Sequence, residues 1–384
     1  DLVEIAGSLQ PLTAVMAGGE RVEDLLLVES ARDHGIIKRI VLVGRKPLIS
    51  DAVARVGIDV PEKDILAAEN DDEAAAVTAE LVKTGAVDMV LKGSTPTHIL
   101  HHHMLPLAIR NTVSLVSIFD AAPISNGRPM ILTDAGVTTV CNYARIAGLI
   151  QNSVDVARTV MHINKPRVAL LSANEKILPT LPSTQLGAAF AQRGWPDAYI
   201  YGPLSLDLAT DPGAVASKGL PNIPGAKDVA GRADILVCPN IDTGNVIYKM
   251  ISALIKYGVA SLANIIMGFP KPYVLLSRSD ALETRLNSVA LGAIYAQSGL
   301  GKESASVCPA PRIKQKKHHF IVISADSASI TCAFFENELC VHSIEIEYLP
   351  DSGGTQEELK RCADESAQNI LTPCKPQHGK LWTQ

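Results

Sequence analysis

Short apolar runs alternate with longer segments of helical periodicity from residue 11 to about residue 300. This alternation predicts an α/β fold with a largely parallel sheet covered on both faces. Right-handed crossover connections would then place the carboxyl ends of the strands along one edge of the sheet. The predicted strands are residues 39–43, 89–91, 130–133, 168–172, 235–238 and 273–277, and the clearest helical windows are 72–83, 144–162 and 246–256.

The composition excludes several classes of protein. Apolar residues make up 47% and charged residues 20% of the 384 residues, which is typical of a globular chain rather than a disordered one. The net charge of -5 and the 4% aromatic content argue against a nucleic-acid partner. No apolar run reaches the length of a membrane span and no signal pattern opens the chain, so we expect no membrane partner and a cytoplasmic location.

The seven cysteines are widely spaced and form no C-x-x-C pair, which favours reduced thiols. The chain begins with Asp1 rather than a methionine, so the sequence leaves open a portion upstream of it. After Ala296 the composition becomes polar and ends in a basic run at residues 314–317, which predicts a linker over residues 301–318. Beyond it, residues 319–323, 330–335 and 341–348 are predicted strands of a small β-rich segment, followed by a partly ordered tail to residue 384.

Polar residues follow several predicted strands, where helix N-termini offer free amides to anions. Lys92, Gly93 and Ser94 bring an ammonium, a flexible backbone and a hydroxyl to one such turn, which suits a phosphate; an ordinary capped turn is the alternative. Ser277 and Arg278 end another strand, and a guanidinium there could grip a phosphoryl group in a bidentate manner. The alternative is a surface arginine beside a capping serine.

Other strand ends carry residues that turns also require. They are Thr133 and Asp134 in one case and Asp242, Gly244 and Asn245 in another. His98 and His102 share a helix face, but no HExxH motif or carboxylate ligand accompanies them, so we predict no metal site. Dinucleotide, Walker and nucleophile-elbow motifs are absent from the sequence.

Taken together, these motifs and their order resemble the phosphate acetyl/butyryltransferase family across about residues 10–300. The matching segments are residues 42–44, 91–94, 132–135, 151–152, 168–175, 182–184, 202–204 with 207, 218–219, 229–234, 244–245, 248–249 and 276–278. No single segment is diagnostic, whereas the series is.

The resemblance implies two α/β/α domains with a cleft between them, an architecture like that of isocitrate and isopropylmalate dehydrogenases. Residues 1–150 with 275–300 would form the first domain and residues 151–274 the second. It also implies transfer of a short acyl group between coenzyme A and inorganic phosphate, with both as substrates and no metal or redox cofactor. Relatives usually form dimers or larger homo-oligomers.

The resemblance also implies roles for particular residues. Ser277 would stabilise the tetrahedral state and Arg278 would bind phosphate in the cleft. The remaining residues assigned to phosphate or CoA are Lys92, Gly93, Ser94, Thr133, Asp134, Ser183, Thr184, Asp242, Gly244 and Asn245.

Two departures favour the butyryl-type branch. Thr284 stands where acetyl-specific members carry an aspartate seven residues after the serine, and Ala253 stands where they carry an arginine. Asp280 and Glu283 could replace the lost base, although their spacing is also that of a helix cap, which we favour. These losses leave a catalytically impaired acyl-CoA or acyl-phosphate binding homologue as the alternative. A dehydrogenase activity is disfavoured, because paired metal-binding aspartates are missing from the sequence.

Residues 320–338 resemble the opening hairpin of acetate and butyrate kinases. The phosphate turn of those kinases is altered here, with Asp326 in place of a glycine and Thr331 in place of a lysine. About 65 residues are too few for a kinase, so we expect a remnant used for packing or docking. Chance similarity of a β-hairpin is the alternative.

Overall fold

The computed structural model describes residues 1–125, 127–220, 223, 225–276 and 280–298, and the backbone of 319–325, 329–336 and 339–347. The chain divides into two compact units, Asp1–Cys308 and Pro309–Gln384. No helix among the described residues is long and apolar enough to cross a membrane. The predicted linker 301–318 lies outside the described residues, as do Ser277, Arg278 and Asp326.

The first unit alternates strands and helices, as predicted. Its strands are β1 Leu12–Ala17, β2 Ile37–Gly44, β3 Ile65–Ala67, β4 Met89–Lys92, β5 Ser114–Ala121, β6 Met130–Thr133, β7 Arg167–Leu171, β8 Tyr199–Leu204, β9 Ile235–Val237, β10 Ala260–Met267 and β11 Tyr273–Val274. Its helices are α1 Leu2–Gly7, α2 Val22–Asp33, α3 Lys46–Val56, α4 Asp71–Lys83, α5 Thr97–Met104, α6 Ala122–Ser125, α7 Tyr143–Thr159, α8 Pro182–Gln192, α9 Leu206–Thr210, α10 Pro212–Lys218, α11 Ala226–Val229, α12 Ile241–Ile255 and α13 Leu282–Gln297.

Within the described residues these strands form one sheet of eleven, in the order β3-β2-β1-β4-β11-β10-β5-β6-β9-β7-β8. Alternate residues of each strand point to opposite faces, and each face carries its own buried apolar cluster. Helices α2, α7 and α13 contribute to one cluster and α4, α5 and α12 to the other. The unit is therefore a three-layer α/β/α structure, with helices on both faces as the sequence predicted.

The sheet contains two long strands that the sequence pattern did not predict, and they reverse its direction. β10 pairs antiparallel with both β11 and β5, and β5 pairs antiparallel with β6. As a result β1, β2, β4 and β11 run one way, while β6, β7, β8 and β9 run the other way. The expectation that all carboxyl ends share one edge is wrong, because this antiparallel pair lies between the two parallel halves.

The backbone of the second unit forms a three-stranded antiparallel sheet in the order β12-β13-β14. Its strands are β12 His319–Ala325, β13 Ser329–Glu336 and β14 Leu339–Glu347. The three strands predicted beyond residue 318 are therefore present. The kinase-like character of this segment stays a prediction.

Candidate functional site

The carboxyl end of β4 carries the first predicted group of site residues. The side chain of Lys92 is only 9% exposed, and its Nζ donates to the carbonyl oxygen of Gly93 at 3.1 Å. A side chain at Gly93 would place Cβ 2.2 Å from the carbonyl oxygen of Gly18, so only glycine allows this close approach of two strand ends. Ser94 donates from its backbone N to the same oxygen at 2.8 Å and from Oγ to Glu20 Oε2 at 2.9 Å.

Two arginines that sequence reasoning missed surround this strand end. Arg21 donates to the carbonyl oxygen of Gly93, and its Nε lies 3.0 Å from Asp24 Oδ2. Arg285 of α13 donates to the other carboxylate oxygen of Asp24. Burial raises the pKa of Asp24 even with two guanidinium groups beside it. Since 261 residues separate Arg285 from Asp24, no local pattern could have revealed their contact.

A third ion pair, between Glu20 and Arg45, lies on the solvent-exposed side of this cluster. Glu20 accepts hydrogen bonds from the Arg45 guanidinium at 2.8 Å and 2.7 Å, in bidentate geometry. These bonds, with the one from Ser94, hold the pKa of Glu20 at about 2, below its ordinary value of 4.5. The hydroxyl of Ser94 is therefore oriented by an ionised carboxylate.

The strand beside β4 leads directly to the predicted Ser277 and Arg278. In the parallel pair of β4 and β11, Val274 lies opposite Leu91, one residue before Lys92. The segment from Leu275 therefore leaves the sheet at the same edge as Lys92. Ser277 and Arg278 themselves lie outside the described residues.

Asp280 follows that segment and contacts α12 rather than capping α13. Its Oδ2 lies 3.3 Å from the hydroxyl of Tyr248, which also accepts a hydrogen bond from Asn264 Nδ2 at 3.0 Å. The N-cap of α13 is Ala281, which makes no side-chain cap bond. The predicted cap formed by Asp280 and Glu283 is therefore wrong, because the helix begins one residue later than that arrangement requires. Glu283 is exposed in its first turn.

Thr133 and Asp134, at the end of β6, form hydrogen bonds to other groups of the protein. Thr133 Oγ1 donates to the carbonyl oxygen of Leu115 at 3.1 Å. The carboxylate of Asp134 accepts four backbone N–H groups at 2.7 to 3.2 Å, which come from residues 115, 136, 137 and 138. Asp134 thus shapes the turn after β6, and only 1% of it is exposed.

Asp242, Gly244 and Asn245 lie in the first turn of α12, since the helix begins at Ile241 rather than in the predicted window. Gly244 packs so closely that an added Cβ would be 2.0 Å from the carbonyl oxygen of Asp134. Asn245 Nδ2 donates to the carbonyl oxygen of Ala135 at 3.0 Å, whereas Asp242 is exposed. This turn therefore docks onto the end of β6.

Ser183 and Thr184 lie in the first turn of α8. Ser183 Oγ is 2.9 Å from Ser172 Oγ, just past the end of β7. Thr184 is buried and its hydroxyl donates to the carbonyl oxygen of Leu181 at 2.7 Å. These two hydroxyls therefore already have partners within the protein.

The structure thus divides the predicted residues into two groups. Lys92, Gly93, Ser94, Asp280 and Glu283 belong to the edge where β4 and β11 end, whereas Thr133, Asp134, Ser183, Thr184, Asp242, Gly244 and Asn245 belong to the opposite edge, where β6, β7 and β9 end. The reversal at β10 and β5 is the reason for this separation. The first group is the candidate site, because it combines buried cations with a partly buried carboxylate.

The histidines of α5 show no arrangement for a metal. His103 Nε2 lies 2.8 Å from Asp72 Oδ1. His101 is largely buried against Tyr273, and burial, with the nearby charge of Lys92, lowers its pKa. In the described ranges, no group of three or more His, Cys, Asp or Glu side chains could hold a metal ion.

Comparisons with known proteins identify the family of the chain. The family described as "Phosphate acetyl/butaryl transferase" matches residues 15–293. The phosphate butyryltransferase of Clostridium acetobutylicum is 34% identical over 277 residues, which cover 70% of this chain and 88% of that protein. The probable phosphate butyryltransferase of Bacillus subtilis is 32% identical over 299 residues, covering 76% and 95% of the two chains.

Among solved structures, a branched-chain phosphotransacylase from Enterococcus faecalis is similar at a TM-score of 0.62 and 29% identity. The match covers 74% of this chain and 99% of that one. The family match over residues 15–293 spans strands β2 to β11. The chain therefore belongs to the phosphate acetyl/butyryl transferase family.

Proposed function

We infer that the protein is a phosphate acyltransferase, which transfers a short-chain acyl group between coenzyme A and inorganic phosphate. Membership of the family supports this activity. One structural observation connects this activity with particular residues. β4 and β11 are parallel neighbours in register, so Lys92 lies beside the segment that leads to Ser277 and Arg278. A buried ammonium at this strand end suits the oxygen-rich anion that this reaction uses.

The reaction needs a base for the CoA thiol and donors for a tetrahedral oxyanion. Asp280 takes the thiol proton, and the thiolate electron pair forms a C–S bond to the acyl carbon of the acyl phosphate. The carbonyl electrons move to oxygen, where Ser277 donates a hydrogen bond. They then return and break the C–O bond to phosphate, which leaves on Arg278 and Lys92 and takes the proton from Asp280.

Asp280 is a better candidate base than Glu283. It is partly buried and fixed by contact with Tyr248, whereas Glu283 is exposed in the first helical turn. Thr284, at the position of the acetyl-branch aspartate, is 2% exposed and packed within α13. Because thiolate chemistry on an acyl phosphate requires only a base and anion donors, we assign no resident metal or redox cofactor to the site.

We place the site in a cleft between two α/β/α domains, formed by residues 1–150 with 275–300 and by residues 151–274, as in isopropylmalate dehydrogenase-like architectures. The reversal of strand direction at β10 and β5 supports a sheet of two parallel halves, in which β11 pairs with β4 in the first half and β6 pairs with β9 in the second. Each half has its own parallel strands, and Asp280 of one half contacts Tyr248 of the other.

We also propose that the protein self-associates through α12. Val246, Met250 and Ala253 lie on one stripe of α12 at helical spacing, with Val246 59% and Met250 63% exposed, and Tyr257, 81% exposed, lies just beyond the end of the helix. Exposed apolar side chains grouped in one place are typical of a protein–protein interface. In an antiparallel pair of α12 helices, Met250 would lie against the small Ala253 of the second copy.

Sedimentation velocity tests the interface. We expect Met250→Glu to convert the assembly to monomers, while Leu26→Glu, at an exposed leucine of α2, leaves it intact. An unchanged assembly in Met250→Glu would exclude α12 as the interface.

A direct assay tests the activity: thioester formation from CoA and acyl phosphates of two to five carbons. We expect Arg278→Ala and Lys92→Met to lower kcat/KM by about a hundredfold each. Lys83→Met, at an exposed lysine of α4, is the matched control and should not change it. Binding of CoA and phosphate without turnover would favour the impaired homologue, and absence of both binding and turnover would contradict the proposed function.

A further inference from the structure

Tyr248 lies where three elements of the candidate site meet. It projects from α12, is 7% exposed, and contacts Asn264 of β10 and Asp280 at the start of α13. Asn264 Nδ2 donates to the phenol oxygen at 3.0 Å, so that oxygen is used as an acceptor. The phenol proton is then directed toward Asp280 Oδ2, 3.3 Å away.

Asn264 is itself held in place for this contact. Its backbone N donates to Ser288 Oγ at 3.0 Å, and Ser288 Oγ donates to the carbonyl oxygen of Thr284 at 2.8 Å. Asn264 is 2% exposed, and its Oδ1 has no hydrogen-bond partner among the described residues. A buried amide oxygen without a hydrogen-bond partner destabilises the fold. We therefore attribute the role of Asn264 in the site to the hydrogen bond that its Nδ2 donates to Tyr248.

The environment keeps Tyr248 protonated. Burial and the negative charge of Asp280 both raise the pKa of its phenol above the ordinary value. The hydroxyl is therefore a permanent donor near neutral pH and cannot act as the base itself. Two charged groups lie on the same elements: Lys249, whose Nζ lies 5.4 Å from the centre of the Tyr248 ring, and Glu283, which is exposed in the first turn of α13.

We propose that Tyr248 is a positioning residue for the acyl transfer, which holds the carboxylate of Asp280 in the orientation that accepts the thiol proton. The inference rests on the proposed function, since it requires Asp280 to be the base. Tyr248 does not touch the reacting atoms in this arrangement; it acts through Asp280 and is fixed in turn by Asn264. The two halves of the sheet thus each supply one member of the pair.

A double-mutant cycle tests the proposal in the full-length protein, with saturating acyl phosphate and varied CoA. Tyr248→Phe keeps the ring and removes one hydroxyl. We expect it to lower kcat about tenfold and to change KM for CoA by less than about twofold. In the Asp280→Asn background the same substitution should change kcat by less than about twofold, because the group on which it acts is gone.

Tyr295→Phe is the matched control, since Tyr295 of α13 is equally buried and loses the same atom. It should leave kcat and KM unchanged. A Tyr248→Phe loss of equal size in both backgrounds, or one confined to KM, would overturn the positioning role while leaving the acyltransferase assignment intact. Absence of thioester formation by the wild-type protein would instead refute the proposed function, and the positioning role with it.

Discussion

Replacing Arg285 with methionine tests whether the buried ion pairs hold the site together. Arg285 donates to Asp24, and both side chains are almost fully buried, at 10% and 4% exposure. Methionine replaces the apolar stem of the arginine but removes the guanidinium and its charge. Asp24 then keeps its contact with Arg21, whose Nε lies 3.0 Å from its second carboxylate oxygen.

Removing one partner of a buried ion pair costs about 3 to 5 kcal/mol, because the other charge stays buried without compensation. Since Arg21 still contacts Asp24, we expect the lower value, about 3 kcal/mol. For a unit of this size, Asp1–Cys308, that corresponds to a fall in Tm of about 5 °C. The substitution also removes the hydrogen bond from Arg285 of α13 to Asp24 of α2. The rate of acyl transfer should therefore fall even at temperatures below the Tm of the variant.

Thermal denaturation followed by circular dichroism measures the effect. Arg55→Met is the matched control, since Arg55 pairs with Asp51 at 3.8 Å in an exposed position of α3. Such a pair contributes about 0.5 kcal/mol, so its Tm should fall by no more than about 2 °C. Equal Tm values for the two variants would refute the conclusion that the Asp24 cluster stabilises this edge of the sheet.

Three further predictions concern single positions. Gly244→Ala should lower Tm by several degrees, because its Cβ would meet a backbone oxygen at 2.0 Å, whereas Gly194→Ala, which has open space, should not. The pKa of Glu20 is about 2 in the folded protein, below its ordinary value of 4.5, so its ionised carboxylate stabilises the fold. The Tm difference between wild type and Glu20→Gln should therefore have its largest value above pH 4.5 and disappear as the pH falls toward 2. A Tm difference independent of pH would contradict this. Burial raises the pKa of Cys238 to about 12, so mass spectrometry should find it unalkylated at pH 8 until urea is added; rapid alkylation without urea would exclude that burial.

Much of the fold could be predicted from the pattern of apolar residues. β6 has the predicted bounds, and α4 begins one residue before its window. β5 and β10 were missed because buried polar residues interrupt their apolar runs. Ser117 lies within β5 and Asn264 within β10, and neither alternation nor a continuous apolar run results.

The candidate site was predictable only in part. Lys92 could be found because lysine and glycine follow an apolar run directly. The contacts of Arg285 and Tyr248 depend on the order of strands in the sheet, which no local spacing encodes. Asp134 shows the opposite case, since this polar residue at a strand end uses its carboxylate to bind three backbone amides of its own turn and one of β5.

The long antiparallel pair at the centre of the sheet has a consequence for how the protein is made. β5 pairs with β10 along its whole length, although about 140 residues separate them, and Gln10 contacts Gln297 at the end of α13. A ribosome-bound chain therefore cannot complete the amino-terminal half of the sheet until almost three hundred residues have been synthesised. Nascent chains truncated before residue 260 should remain sensitive to protease throughout that half, rather than folding as an independent piece.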